Sequence, residues 1–278
     1  MTFEPKDSII VITGGANGIG KALAIHLANL GAKRIIVVDI HKEAAQYVVD
    51  NLLPPNVGVA MKADCCVEMD IRNIINRVEF EYGPIDAFFA NAGILSTGGI
   101  HVSNDEWERI WKINLMQSVY VCRHLIPRFE QRRNGLLVIT ASAAGLLNMP
   151  GALPYAVTKH AAVAFAEWIS FTYKPKGIQV ACLCPQAVRT DMIRIGNGPL
   201  GDTVDGGPAG LDGVLEPDFV AKITLDSIKQ GKFLILPHEK VQKHNVRKVN
   251  DYERYLDNMG KISSKFERFA TAPPSSRL

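Results

Sequence analysis

The chain has 278 residues, of which 47% are hydrophobic and 21% charged, with a formal net charge of +3. That is enough apolar material for one large α/β domain or two small ones, and too sparse and balanced a charge for a dedicated nucleic-acid binder. The first apolar run, Ile9 to Ile12, is far too short for a signal or membrane span, and the run from Leu136 to Met149 is interrupted by Thr140, Ser142, Gly145 and Asn148, so no membrane span is expected.

In chain order, strands are predicted at 9–13, 34–39, 57–63, 87–90, 136–140, 179–184 and 233–236, where short β-branched runs stand between turn signals. Helices are predicted between them at 20–30, 69–82, 105–131, 156–173 and 218–229. Apolar strands alternating with amphipathic helices bury both sheet faces, so the fold class is α/β with a doubly wound parallel (Rossmann) sheet. Residues 1–278 read as a single domain with its core over about 6–237. Over 195–217 Gly, Pro and Asp dominate and apolar periodicity fades. A long loop of that kind beside a site reads as a substrate lid, placed at about 191–217. Beyond it, Val246, Val249, Tyr252, Leu256, Met259, Ile262 and Phe266 fall at helical spacing, which predicts an amphipathic helical extension over about 240–270, broken at Gly260.

Five cysteines, Cys65, Cys66, Cys122, Cys182 and Cys184, form no C-x-x-C pair, which suits a reducing compartment. Cys182 and Cys184 share one face of a predicted strand as small hydrophobes. His238 and His244 are separated by five residues with no carboxylate or cysteine pattern, so no metal site is expected.

The first strand runs into 13-TGGANGIG-20, which opens directly into a helix. Gly14, Asn17, Gly18, Ile19 and Gly20 are therefore expected to cradle a dinucleotide's pyrophosphate: glycine lets the backbone approach, and the helix N-terminus favours the negative charge. The second strand ends at Asp39, nineteen residues beyond Gly20. A carboxylate there accepts hydrogen bonds from both ribose hydroxyls and repels a 2′-phosphate, so NAD is favoured over NADP. A solvated acid at a strand end is the lesser alternative for Asp39.

In 153-LPYAVTKHAAVAF-165, Tyr155 and Lys159 stand four residues apart on one helical face. A core-edge Tyr beside a snorkelling Lys is the plain reading, and a proton-transfer site the other. Their company decides. With Gly14, Gly18, Gly20, Asp39, Asn91-Ala92-Gly93, Asn114, Ser142 and Tyr155-x-x-x-Lys159 in this order, the chain resembles the short-chain dehydrogenase/reductase family from about Ile9 to Thr190.

The resemblance implies a catalytic set of Asn114, Ser142, Tyr155 and Lys159. Tyr155 is expected to be the general base in alcohol oxidation and the general acid in ketone reduction. A free phenol titrates near ~10, and a nearby ammonium together with the positive charge of the oxidised nicotinamide is expected to lower that value. Lys159 would supply that charge and hold the nicotinamide ribose. Ser142 would bond the substrate oxygen, and Asn114 would hold a water that relays protons. Asp64 and Cys65 are expected along the adenine, Asn91, Ala92 and Gly93 along the inner ribose, and Val188 and Thr190 at the carboxamide and pyrophosphate. The family further implies a homodimer across helices 105–131 and 156–173 with Trp168 between them, the homotetramer being the larger alternative.

Two departures stand out. Ala90 replaces a second Asn, which weakens a sheet-bracing bond, and Gln186 follows Pro185 where Gly is usual. The sequence 204-VDGG-207 lies in the loop rather than after the last strand, which argues against an acyl-carrier-protein reductase. Pocket candidates are Leu95, Leu146, Leu147, Met149, Leu153, Gln186, Ala187, Met192 and Ile193, with Ser142, Tyr155, Leu147, Met149, Gln186 and Met192 as the expected substrate contacts. The set is chiefly apolar and favours a hydrophobic secondary alcohol or its ketone.

Residues 229–268 hold ten Lys or Arg against five Asp or Glu. A solvated helix face explains that, and a cradle for the phosphates of a hydroxyacyl-CoA is the sharper alternative. A non-catalytic NAD-binding sensor would need the Gly-rich turn but not the acid–base set. A cytoplasmic enzyme is expected; in a eukaryotic host Ser276-Arg277-Leu278 resembles the peroxisomal address Ser-Lys-Leu.

Overall fold

The computed structural model describes residues 2–193 and 204–266. The predicted loop stretch 194–203 and the terminal tripeptide 276–278 lie outside the described residues.

The strands are β1 (Ile9–Thr13), β2 (Arg34–Asp39), β3 (Gly58–Lys62), β4 (Ala87–Ala90), β5 (Gly135–Thr140), β6 (Ile178–Leu183) and β7 (Leu234–Ile235). They form one seven-stranded sheet in the order β3-β2-β1-β4-β5-β6-β7, and every pairing is parallel. β1 is buried along its whole length, as a central strand covered on both faces must be. Successive residues therefore serve opposite layers. Val11 and Phe88 pack on the side of α3 (Glu68–Glu81), α5 (Gln117–Arg132) and α7 (Leu153–Tyr173). Ile12 and Phe89 pack against α1 (Gly18–Asn29), α2 (Lys42–Leu52) and α8 (Pro217–Lys229). The doubly wound sheet predicted from periodicity is the observed fold.

Four local features depart from the sequence reading. Helix 105–131 is not continuous: α4 (Asn104–Trp111) and α5 are joined by a π-helical turn, Lys112–Met116. The helices α2 and α6 (Ala144–Leu147) were not predicted; α6 is a single turn with no room for an apolar period. Residues 204–210 form a 3-10 turn, and Leu215 bridges Val188 in parallel, so the back of the loop is stitched to the core. Finally, the extension forms α9 (Glu239–Asn250) and α10 (Tyr252–Lys265), which breaks at Asn250–Asp251 and runs through Gly260. The Asp251 side chain accepts from Arg254 N at 3.1 Å, which starts a new helix there.

The apolar stripe of that extension splits: Met259 and Ile262 line a cavity and Phe266 packs on a buried cluster, but the first four residues turn outward. Val246, Val249, Tyr252 and Leu256 are 47%, 74%, 53% and 49% exposed. Fully buried Val241 and two side chains that bond α6 hold the extension instead: Lys248 Nζ donates to Leu146 O at 2.6 Å, and the Tyr255 hydroxyl donates to Leu147 O. No described helix is long and apolar enough to cross a membrane.

Candidate active site

The chain leaves β1 toward β2 and β3, then returns to build β4 on β1's other side. A crevice opens at the carboxyl ends where the winding reverses. Asn91 braces it. Its backbone N–H donates to Thr13 Oγ1 at 2.9 Å and its Nδ2 to Thr13 O at 3.0 Å, and Thr140 Oγ1 donates to its Oδ1 at 3.1 Å. These bonds tie the tips of β1, β4 and β5 together, although Ala90 offers no side-chain bond of its own.

The Gly-rich turn packs too closely for side chains at two of its glycines. A Cβ at Gly18, whose φ is +51°, would lie 2.7 Å from Thr190 Cγ2, and one at Gly20 would lie 2.2 Å from Gly14 O. Asn17 caps α1, its Oδ1 accepting from Gly18 N at 2.8 Å, and its Nδ2 donates to Asp191. That second bond links the turn to the segment after β6. Asp39 ends β2 with its carboxylate fixed from two sides, by Ala16 N at 3.2 Å and His41 N at 3.1 Å.

A cleft of about 520 Å³ is lined by Gly14, Asn17, Gly18, Ile19, Asp39, Asp64, Cys65, Asn91, Ala92, Gly93, Val188 and Thr190. Of the residues predicted to hold cofactor from these segments, only Gly20 is not in that wall; it acts through the turn's packing. Asp64 accepts from Cys66 N at 2.8 Å. Burial, reinforced by the Asp64 charge, pushes the Cys65 thiol up to about 12, so it is an apolar wall rather than a nucleophile. Ile40, Arg109 and Ile113 also line the cleft and were missed from sequence. Ile40 follows Asp39 directly, but the other two reach the cleft only because of how α4 and the π-helical turn pack.

The inner end of the cleft gathers Ser142, Tyr155 and Lys159. Tyr155 and Lys159 sit one turn apart at the start of α7 and are 8% and 3% exposed. Lys159 Nζ donates to Thr140 O at 2.8 Å and lies 5.7 Å from the Tyr155 ring centre. Ser142 Oγ accepts from Ala144 N at 3.1 Å and donates to Pro185 O at 3.3 Å. Burial raises the Tyr155 phenol above its ordinary value, and a hydrogen bond with Ser142 opposes this. Burial likewise lowers the Lys159 ammonium to about 8. Without the nicotinamide charge that the expected lowering also calls for, burial sets the direction at Tyr155, and the same desolvation that penalises the phenolate also penalises the ammonium.

Asn114 lies behind this group rather than in the cleft wall, on the π-helical turn that aims it inward. Its Oδ1 accepts from Ile94 N at 2.9 Å, and its Nδ2 donates to Ile94 O at 3.0 Å and Thr158 Oγ1 at 3.2 Å. A Cβ at Gly93 would come within 3.2 Å of Asn114 Oδ1 and 3.4 Å of Lys159 Nζ. The glycine keeps that narrow space between them open.

Of the expected substrate contacts, Ser142, Met149 and Gln186 line both this cleft and an adjoining cavity of about 730 Å³; Tyr155 and Met192 line the first only, and Leu147 the second. Leu95, Ala187 and Ile193 also line the cleft. Leu146 and Leu153 line neither, because Leu146 packs into the core and Leu153 opens α7 at the chain's bridge to Gly98. Gln186 is held in place: its Nε2 donates to Asp212 Oδ2 at 3.0 Å, and Asp212 also pairs with His244 at 3.1 Å and Lys240 at 3.3 Å. The outer wall of the second cavity is α9–α10, part of the basic stretch for which a solvated face and a cradle for CoA phosphates are the two expectations. No group of three or more metal-ligating side chains occurs among the described residues.

Comparison with known proteins agrees with this geometry. The family model for short chain dehydrogenase matches residues 8–197. Cyclohexanol dehydrogenase from Acinetobacter sp. is 30% identical over 196 residues, covering 69% of this chain and 78% of that protein. Human estradiol 17-beta-dehydrogenase 11 is 27% identical over 266 residues, covering 93% and 84%. A short chain dehydrogenase/reductase from Burkholderia phymatum, solved in complex with NAD, superimposes with a TM-score of 0.80 at 24% identity, over 90% of this chain and 96% of that one. The chain belongs to the short-chain dehydrogenase family, whose members are oxidoreductases.

Proposed function

We propose that the protein is an NAD-dependent oxidoreductase that interconverts a hydrophobic secondary alcohol and its ketone, with Tyr155 as the acid–base group. The observation that carries this reading is that Ser142, Tyr155 and Lys159 share the wall of the cleft lined by the Gly-rich turn and Asp39, with Ser142 also lining a second, largely apolar cavity. A nicotinamide dinucleotide bound in the cleft supplies the hydride acceptor or donor. In oxidation Tyr155 takes the carbinol proton while the carbinol carbon gives up its hydride; in reduction the proton returns from Tyr155 to the ketone oxygen. Ser142 orients that oxygen, and its hydroxyl beside Tyr155 opposes the upward shift that burial imposes on the phenol. Lys159 holds the inner ribose, and the remaining lone pair of Asn114 Oδ1 anchors a water beside Lys159.

Asp39, fixed by two backbone N–H groups, supports NAD over NADP because its carboxylate opposes a 2′-phosphate. The names of two relatives, cyclohexanol dehydrogenase and estradiol 17-beta-dehydrogenase 11, support a cyclic or similarly hydrophobic alcohol. A homodimer across α5 and α7 is part of the proposal; Trp168 and Phe171 on α7 stand 51% and 66% exposed.

The test is a panel of aromatic, steroidal, polyol and hydroxyacyl alcohols followed at the NADH absorbance, with Tyr155→Phe beside the wild type. Tyr155→Phe is expected to lower kcat by about 10²-fold or more while NAD still binds. Absence of turnover across the panel, with NAD binding intact, would favour a binding protein on this scaffold.

A further inference from the structure

The larger cavity begins at the reacting end of the site. It shares Ser142, Met149 and Gln186 with the cofactor cleft, so a substrate whose carbinol rests on Ser142 extends into it. At about 730 Å³ it has the size of a complete small-molecule pocket. Its inner wall is apolar through buried Leu147 and Met149, whereas its outer wall carries Arg247 and Arg254.

The two arginines flank the corner between α9 and α10. Asp251 N donates to Arg247 O at 3.1 Å, and Arg254 N donates to Asp251 Oδ1 at 3.1 Å. The corner is fastened to the pocket floor by the bonds from Lys248 to Leu146 O and from Tyr255 to Leu147 O. Neither guanidinium has a carboxylate partner among the described residues. The acids of the same wall are engaged: Asp212 with Gln186, His244 and Lys240, and Asp251 with the α10 cap. The wall of this pocket opposite Leu147 and Met149 thus carries two guanidiniums that are in no ion pair among the described residues, and guanidinium forks are the groups that receive a planar or multidentate anion.

We infer that this wall is an anion subsite: the substrate is an amphipathic alcohol whose carboxylate or phosphate, remote from the carbinol, is received by Arg247 and Arg254. The inference rests on the alcohol–ketone reading and adds a charge requirement to it. Both side chains are exposed at the rim, so solvent screens them and the expected discrimination is about tenfold.

The experiment measures binding by calorimetry and turnover separately, on the full chain with NAD present. The probes are a long-chain secondary hydroxy acid, its methyl ester, and its CoA thioester. Wild type is expected to bind the acid or the thioester about tenfold tighter than the ester. Preference for the acid assigns a carboxylate, and preference for the thioester assigns the CoA phosphates. Arg247→Gln/Arg254→Gln is expected to lose that margin with ester binding unchanged, and Arg247→Lys/Arg254→Lys to keep most of it. Thermal melts of both variants check that they fold. Equal binding of all three probes, binding of none, or a margin that survives the Gln pair overturns the subsite. Preferential binding without turnover leaves the subsite standing and counts against the alcohol–ketone reading.

Discussion

Lys159 Nζ donates 2.8 Å to the carbonyl of Thr140, which fixes the ammonium at the tip of β5, 5.7 Å from the centre of the Tyr155 ring. The bond positions the charge for chemistry in a place where the folded protein alone gains little from it. Lys159 is 3% exposed and its ammonium is lowered to about 8 by burial.

That depression makes Lys159 a stability cost at neutral pH. A lysine whose folded value lies below its unfolded value binds fewer protons when folded, so stability rises with pH between about 8 and the ordinary lysine range. The ammonium costs on the order of 3 kcal/mol near pH 7, and loss of a partner for Thr140 O returns roughly 1–2 kcal/mol of penalty. Lys159→Met is therefore expected to raise Tm at neutral pH by about 2 °C while activity falls sharply. Calorimetric melts from about pH 7 to about pH 10 check this, and the gain should shrink as pH rises. A variant less stable than wild type at every pH would contradict it.

The Tyr155 phenol is held above its ordinary value by burial, so at neutral pH its protonated form dominates. Oxidation needs the phenolate and reduction needs the phenol. The kcat/KM for alcohol oxidation is expected to climb with pH across about 6 to 10, and that for ketone reduction to fall at the alkaline end. Parallel profiles in the two directions would remove Tyr155 from the acid–base role.

At the other end of the cleft, Asp39 sets cofactor choice. NAD is expected to exceed NADP in kcat/KM by roughly tenfold or more, and Asp39→Ser to narrow the ratio chiefly through KM for NADP. Equal values in the wild type would refute the role given to this carboxylate.

Gly20→Ala probes the turn without touching the cleft wall. The added methyl would lie 2.2 Å from Gly14 O, a backbone atom that can retreat only by deforming the pyrophosphate loop. Weaker NAD binding, by about tenfold or more in fluorescence titration, is expected along with a lower Tm. Unchanged affinity would mean that the loop is more pliant than its contacts imply.

Period and turn chemistry are local, and so the sequence by itself determined the seven strands, their doubly wound parallel class, the Gly-rich turn and the pairing of Tyr155 with Lys159 on one face. Ser142 and Asp39 were legible for the same reason, since each follows a strand that ends at the crevice. Tertiary structure alone decided the rest. The π-helical turn that aims Asn114 inward interrupts an unbroken amphipathic pattern, and that pattern carries no mark of the extra residue. The second cavity exists because Lys248 and Tyr255 bond carbonyls 102 and 108 residues away in sequence, contacts that no window of residues can reveal. The same docking turns the predicted apolar stripe at Val246, Val249, Tyr252 and Leu256 outward and brings Arg247 and Arg254 to the pocket. The Lys159 ammonium, expected from motif spacing to assist Tyr155, is itself weakened by burial, a property of the packed surroundings rather than of the residue.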